Sequence, residues 1–221
     1  MIFDGIGRLL FPPKCVLCGK LLEKNETDLC HVCRVDGPEC GSYSRRFDFL
    51  ESYAAVWYYE GDARSSILRF KFGGKRGYAH CYGKLLAMKL LEQHPDGFDL
   101  LTWVPTAWQR CVKRGYDQTE LIARAVGREL GVKPVKLLKK VRNTPPQSGI
   151  TGHAERRANV LNAYRLVGKQ PVKGKKILLI DDIITTGATA GECARVLLTA
   201  GAKEVHCGAV AKARHNGKRS R

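Results

Sequence analysis

The most restrictive stretch of the chain is Ile177-Leu178-Leu179-Ile180, apolar at every position, which passes straight into two adjacent acids, Asp181-Asp182. Neither face of such a segment suits water. It predicts a strand over residues 176–180 buried on both sides, as in a parallel sheet with helices on each face. The carboxylates then fall at the sheet's C-terminal edge, where open α/β sheets bind ligands. The residues that follow, Thr185-Thr186-Gly187-Ala188-Thr189, combine hydroxyls, a glycine that lets backbone come close, and a helix start. Together they make a phosphate cradle. One exposed helix N-terminus contributes only about 0.3 to 1 kcal/mol toward an anion, so amides and hydroxyls must add to it. Two acids would repel a bare phosphate, whereas a ribose 5-phosphate offers its hydroxyls to Asp181 and Asp182 and its phosphate to the loop. The plainer alternative is a threonine helix cap that happens to follow two acids.

The rest of the chain alternates in the same manner. The β-prone run Tyr53-Ala54-Ala55-Val56-Trp57-Tyr58-Tyr59 precedes helical patterns over residues 63–72 and 78–93. A strand over 98–104 is stopped by Pro105. A helix over 118–130 is stopped by Gly131, and a short strand is expected near 135–138. Residues 143–152, with Pro145-Pro146, Gly149 and Gly152, read as an exposed mobile loop. A strand-like 164–167, the acidic strand, a helix over 188–200 and a strand over 204–210 complete the pattern. Strands alternating with helices predict a mainly parallel sheet covered on both faces. With 221 residues and 44% hydrophobic content, one α/β unit plus a small appendage is expected. The boundaries fall at residues 1–45, 46–211 and 212–221, the last a basic tail expected to be disordered.

Five of nine cysteines fall in the first segment, as Cys15-x-x-Cys18, Cys30-x-x-Cys33 and Cys40. Four thiolates at that spacing close tetrahedrally on Zn²⁺, with Cys40 or His31 as substitute ligands; a redox dithiol pair and reduced core cysteines are the alternatives. Zinc binding to such peptides contributes about 10 to 16 kcal/mol, enough to fold a segment with almost no core. A secreted disulfide scaffold would be smaller and follow a signal peptide, so the chain reads as cytoplasmic. The apolar opening, residues 2–11, is broken by Asp4, Gly5, Gly7 and Arg8 and is too short to span a bilayer. It reads as a short helix that docks on the main domain or touches a membrane surface.

The formal charge is +17, which favours polyanionic partners, nucleic acid first among them, or else reflects an ordinary solvated basic surface. Basic residues cluster at 69–76, 110–114, 133–142, 173–176 and in the tail. Trp57, Trp103, Trp108, Tyr116 and the pair Tyr58-Tyr59 offer faces on which bases stack. Core packing is the competing explanation for Trp57 and Trp103.

The acidic loop resembles the PRPP-binding motif of type I phosphoribosyltransferases, and the whole chain resembles the ComF (competence protein F) family. Besides the loop, the matching pieces are Arg69-Phe70-Lys71-Phe72 with Gly74; Arg110 with Arg114-Gly115-Tyr116-Asp117-Gln118; and Arg142, Thr144, Gln147, Arg156, Asn159 and Tyr164. The resemblance implies PRPP bound with Mg²⁺ by Asp181, Asp182, Thr185, Thr186, Gly187, Ala188, Thr189, Arg110 and Arg114. Asp181, Asp182 and Arg142 would act in catalysis. A pyrophosphate loop at residues 104–110 and a cationic lid at 142–157 are also implied. This chain departs from the family in having Asp117 for the usual asparagine and Thr106-Ala107-Trp108 for a second valine-proline step. The family implies a role in natural transformation: binding single-stranded DNA and aiding its uptake at the inner membrane, beside a helicase-like protein and a membrane channel. An active phosphoribosyltransferase with an unknown nitrogen acceptor is the alternative, although no general base for that acceptor is evident. A PRPP-sensing regulator of duplex DNA is a third reading, for which no helix-turn-helix pattern is found.

Overall fold

The computed structural model describes residues 12–40, 47–142 and 153–214. The elements in chain order are α1 (His31–Val35), β1 (Ser52–Tyr58), α2 (Gly61–Phe72), α3 (Tyr78–Gln93), β2 (Leu100–Trp103), α4 (Trp108–Arg114) and α5 (Gln118–Leu130). They continue with β3 (Leu138–Lys140), α6 (His153–Val160), β4 (Tyr164–Leu166), β5 (Lys176–Ile184), α7 (Ala188–Thr199) and β6 (Glu204–Lys212). Among the described residues one sheet has the order β1-β6-β5-β2, and each adjacent pair in it is parallel. A separate antiparallel pair, β3-β4, stands apart from it. The fold is the expected α/β type, a mainly parallel sheet flanked by helices.

Strand pleating sorts the central residues into two cores. Leu178 and Ile180 of β5 pack with Ile67 and Phe70 of α2, Leu86 and Leu90 of α3, and Ile122 and Val126 of α5. Ile177 and Leu179 pack with Cys193 and Leu197 of α7 and with Leu138 and Tyr164 of the β3-β4 pair. The cysteine-rich segment is not a detached bead. Cys15, Val16, Leu17, Leu29, Cys30 and Cys33 belong to the first of these cores, together with Trp57 and Tyr82. Residues 38–40 run antiparallel along β1, with Cys40 N donating to the Val56 carbonyl at 2.9 Å and Tyr58 N to the Pro38 carbonyl at 2.8 Å. That pairing covers a sheet edge that would otherwise invite another strand.

Several expectations need correction. The acidic strand does not stop at residue 180 but runs to Ile184, because β6 continues alongside it: Asp181 pairs with Ala209, Ile183 with Ala211 and Ile184 with Lys212. The same pairing draws Lys212, assigned above to the tail, into the sheet as a buried residue. The short strand expected near 135–138 starts later, as β3 from Leu138, and Pro134 makes only an isolated bridge to Leu101. Proline's missing N–H explains why the edge ladder fails there. Short helices α1, α4 and α6 were not anticipated. The opening segment 2–11, the whole 143–152 loop and the tail beyond 214 lie outside the described residues.

Helices α3 and α5 cross at Gly83, where an added Cβ would stand 2.4 Å from the Ala125 Cβ and 2.8 Å from the Val126 backbone nitrogen. Overpacking of that kind costs about 1 to 3 kcal/mol. Gly83→Ala should therefore lower the urea midpoint by an amount corresponding to about 2 kcal/mol, with the m-value unchanged.

Candidate ribose-phosphate cleft and cysteine knuckle

At the C-terminal edge of the sheet lies a cleft of about 870 Å³, walled by α2, the 104–107 loop, α4, β3, α6 and the start of α7. Asp181 and Asp182 form its floor. Because neighbours on a strand point to opposite faces, the two carboxylates have different surroundings. Asp182 Oδ2 lies 2.9 Å from Lys71 Nζ and accepts from Gln118 Nε2 at 3.1 Å. Asp181 faces the other way, and its Oδ1 accepts from the backbone N–H of Asp182 at 2.8 Å. Burial and the charge of Asp182 push the Asp181 carboxyl up to about 7, against opposing contributions from the Asp182 N–H and Lys71.

The cations of the cleft outnumber its acids. Lys71, Arg110, Lys113, Arg114, Lys140 and Arg156 line the wall with these two carboxylates. Lys140 is pushed down by burial and by Arg110, and its ammonium lies 5.5 Å from the centre of the Tyr164 ring. Arg114 donates to Gln118 Oε1, and its guanidinium sits 5.1 Å from the Phe72 ring centre. Thr185 and Thr189 reach the cleft from the loop. Gly187 caps α7 with φ +76°, and a Cβ there would meet Phe47 Cδ1 at 2.4 Å, so both conformation and space require glycine. Thr186 Oγ1 accepts from Ala188 N at 3.4 Å, which closes the turn.

Some residues expected in this site are placed elsewhere. Arg142 Nη2 donates to the carbonyls of Asn159 at 3.0 Å and Leu161 at 2.7 Å, so it closes the C-terminal end of α6 and is not among the residues lining the cleft. Arg157 pairs with Asp48 at 3.0 Å, whereas its neighbour Arg156 lines the cleft wall. Thr186, Gly187 and Ala188 shape the loop without lining the cleft. Lys71, Gln118, Lys140 and Tyr164 line it although sequence reasoning gave them no role; Lys71, Gln118 and Tyr164 were visible only as pieces of a resemblance. The two departures from the family pattern turn out to be partners. Asp117 accepts from Thr106 N at 3.1 Å, Thr106 Oγ1 at 3.0 Å and Thr119 N at 3.1 Å. One carboxylate thus caps α5 and anchors the 104–107 loop.

In the N-terminal segment the sulfurs of Cys15, Cys18, Cys30 and Cys33 all lie within 4.8 Å of one another, with 3.8 Å between Cys18 and Cys30. A tetrahedron of Zn–S bonds about 2.3 Å long has edges of about 3.8 Å, so the cluster fits a structural zinc. Burial and the neighbouring thiols hold Cys33 well up. At Cys15 burial is outweighed by backbone hydrogen bonds, led by that from Cys30, which bring the thiol down to about 7. Four such groups ionise together only around a cation. Cys40 lies apart against Ala55 and Tyr58, and His31 is exposed, so neither replaces a ligand.

A phosphoribosyl transferase domain model matches residues 119–221. "DNA utilization protein YhgH" of Escherichia coli O157:H7 is 27% identical over 200 residues, covering 86% of each chain. "Competence protein F" of Haemophilus influenzae is 26% identical over 180 residues, covering 79% of this chain and 78% of that one. "Competence protein ComFC" of Bacillus subtilis is 26% identical over 191 residues, covering 85% and 72%. The chain resembles ComF-family, type I phosphoribosyltransferase-like proteins. Among solved structures, phosphoribosylpyrophosphate synthetase from Mycobacterium smegmatis aligns with this chain at a TM-score of 0.38 and 24% identity, over 59% of this chain and 33% of that one. Among the described residues, no helix is long and apolar enough to cross a membrane.

Two outcomes follow from the geometry. The purified protein should carry one zinc per chain by metal analysis, and Cys18→Ser should lose it and destabilise the packing of residues 12–40. Asp181, with its carboxyl raised from 3.8 to about 7, holds its proton in the folded state and releases it in the unfolded one. Folding therefore binds protons between about pH 4 and 7, and the stability cost of Asp181 grows as pH rises through that window. Asp181→Asn should raise the melting temperature at pH 8, and the gain should vanish near pH 4.

Proposed function

We infer that the cleft binds PRPP or a related ribose phosphate together with Mg²⁺, and that the cationic rim beside it takes single-stranded DNA in service of DNA uptake. The observation that carries the reading is the pairing of two carboxylates with six cations at the sheet's C-terminal edge, next to the N-terminus of α7. Asp182 can accept from a ribose hydroxyl, as can Asp181 when ionised, while the loop amides with Thr185 and Thr189 suit a 5-phosphate. Arg110, Lys113 and Arg114 offer charge to a pyrophosphate. Mg²⁺ usually keeps one or two carboxylates and completes its shell with water and substrate phosphates. A cleft with two carboxylates suits an ion that arrives with the pyrophosphate. When bound, the ion would neutralise phosphate charge.

For DNA the support is α4. None of its residues is buried, Trp108 is 75% exposed, and Arg110, Lys113 and Arg114 share the helix. An exposed indole among cations is the combination that holds single strands without regard to sequence. Trp57 and Trp103, at 2% and 7% exposure, belong to the core instead. The relatives named for DNA utilization and competence favour the same role, which would place the protein at the inner face of the membrane beside a helicase-like protein and a DNA channel.

Calorimetric titration with PRPP and Mg²⁺ should show one site per chain, with affinity lost in Asp182→Asn. Single-strand affinity should fall with salt at a log-log slope of about −0.7 per phosphate neutralised. Trp108→Ala should weaken DNA binding by about 1 kcal/mol or more and leave PRPP binding intact. No heat with PRPP, or no DNA binding at low salt, overturns the corresponding half of the reading.

A further inference from the structure

The cysteine knuckle and the cleft share one helix. Ser66 Oγ, fully buried on α2, donates to the Val16 carbonyl at 2.5 Å and lies 2.7 Å from the Tyr82 hydroxyl. One turn further, Arg69 Nη2 donates to the carbonyls of Val16 at 3.1 Å and Leu17 at 2.5 Å. Val16 and Leu17 are the residues between Cys15 and Cys18, so the acceptors belong to the knuckle's own turn. A Cβ at Gly19, where φ is +82°, would stand 3.8 Å from the Arg69 guanidinium carbon. The buried Arg69 Nε has no hydrogen-bond partner, so the guanidinium's hydrogen bonds go to the knuckle carbonyls, with its central carbon 6.0 Å from the Tyr78 ring centre.

Two residues beyond Arg69, Lys71 extends into the cleft and meets Asp182 at 2.9 Å. The Lys71 side chain is only 17% exposed. Helix α2 ends immediately afterwards, at Gly73 and Gly74, and Gly74 has φ +66°. On the cleft side, the Tyr116 hydroxyl donates to the Phe70 carbonyl. Helix α2 is thus bonded to the knuckle on one side and to Tyr116 on the other.

We propose that the cysteine knuckle is a positioning element for the ribose-phosphate site: through Ser66 and Arg69 it fixes α2 and thereby holds Lys71 against Asp182. The proposal rests on the reading that the cleft takes a ribose phosphate. Two adjacent carboxylates in its floor oppose an incoming phosphate or pyrophosphate unless a cation offsets them. Lys71 is that cation, and it is placed where it can turn to a phosphate oxygen as a ribose hydroxyl takes over Asp182. Arg69 never touches the ligand and acts only through the helix. Metal occupancy at one end of α2 therefore sets ligand affinity at the other.

The test is PRPP affinity, measured calorimetrically with Mg²⁺ on the zinc-loaded full chain and on Arg69→Met, Lys71→Met and the double variant, with zinc content and thermal unfolding followed for each. Each single change should lower affinity about tenfold, or 1.4 kcal/mol, with Arg69→Met still holding one zinc per chain. The double variant should bind no worse than Lys71→Met, because the two residues act in series. Lys71→Arg should recover much of the loss. Zinc stripped by a chelator that is dialysed out before Mg²⁺ and PRPP are added should reproduce the Arg69→Met affinity. Ser66→Ala, which removes the other bond to the knuckle, replaces Arg69→Met if that variant does not fold. Full affinity in Arg69→Met or in stripped protein, or losses that multiply in the double variant, overturns the coupling alone. Failure of the unaltered chain to bind PRPP overturns the proposed function and the coupling with it.

Discussion

Two adjacent carboxylates on one strand cannot share a direction, and the site depends on that constraint. Pleating sends Asp182 toward α2 and α5, where Lys71 and Gln118 meet it. It sends Asp181 toward α7 and the β3-β4 pair, where burial raises its proton affinity. One acid is thereby paired with a cation, while the other has its carboxyl raised to about 7. The surrounding elements follow from this division. Helices on one face supply ion-pairing groups, and the other face supplies the buried surface that raises Asp181.

The cations of the cleft come from parts of the chain far apart in sequence: Lys71 from α2, Arg110 and Arg114 from α4, Lys140 from β3 and Arg156 from α6. A parallel sheet makes such convergence natural, since every strand in it ends at the same edge. Much of the formal charge of +17 is already engaged, as Arg69 is with the knuckle, Arg142 with the end of α6 and Arg157 with Asp48. Helix α4 differs because its cations stand beside an exposed tryptophan and none of its residues is fully buried. Stability alone gives such a helix little reason to exist.

The cysteine segment has too few apolar residues to fold alone, yet it joins the core that α2 and α3 build against the sheet. A metal on the four thiols and the packing against the sheet would therefore support one another. The contacts that join them, Ser66 and Arg69 on the backbone of Val16 and Leu17, involve carbonyls that no side-chain pattern reveals.

The sequence by itself determined the central buried strand, the helix that follows it, the long helices over 78–93 and 118–130, and the four-cysteine cluster. Each depends on local period, on chain-breaking residues or on ligand spacing, all of which are written into contiguous residues. The place where β5 ends was decided by β6 lying alongside it, and the late start of β3, at Leu138, by Pro134, which has no N–H to offer a ladder on β2. The division of labour among the arginines was equally hidden: Arg142 and Arg156 look alike in sequence, but only the second lines the cleft. Lys71 could not be singled out from the run Arg69-Phe70-Lys71-Phe72, because what distinguishes it is an acid more than a hundred residues away in the sequence. Periodicity reports which face of an element is buried, whereas the partner of a charged group depends on which elements fold together. Only the tertiary structure settles that.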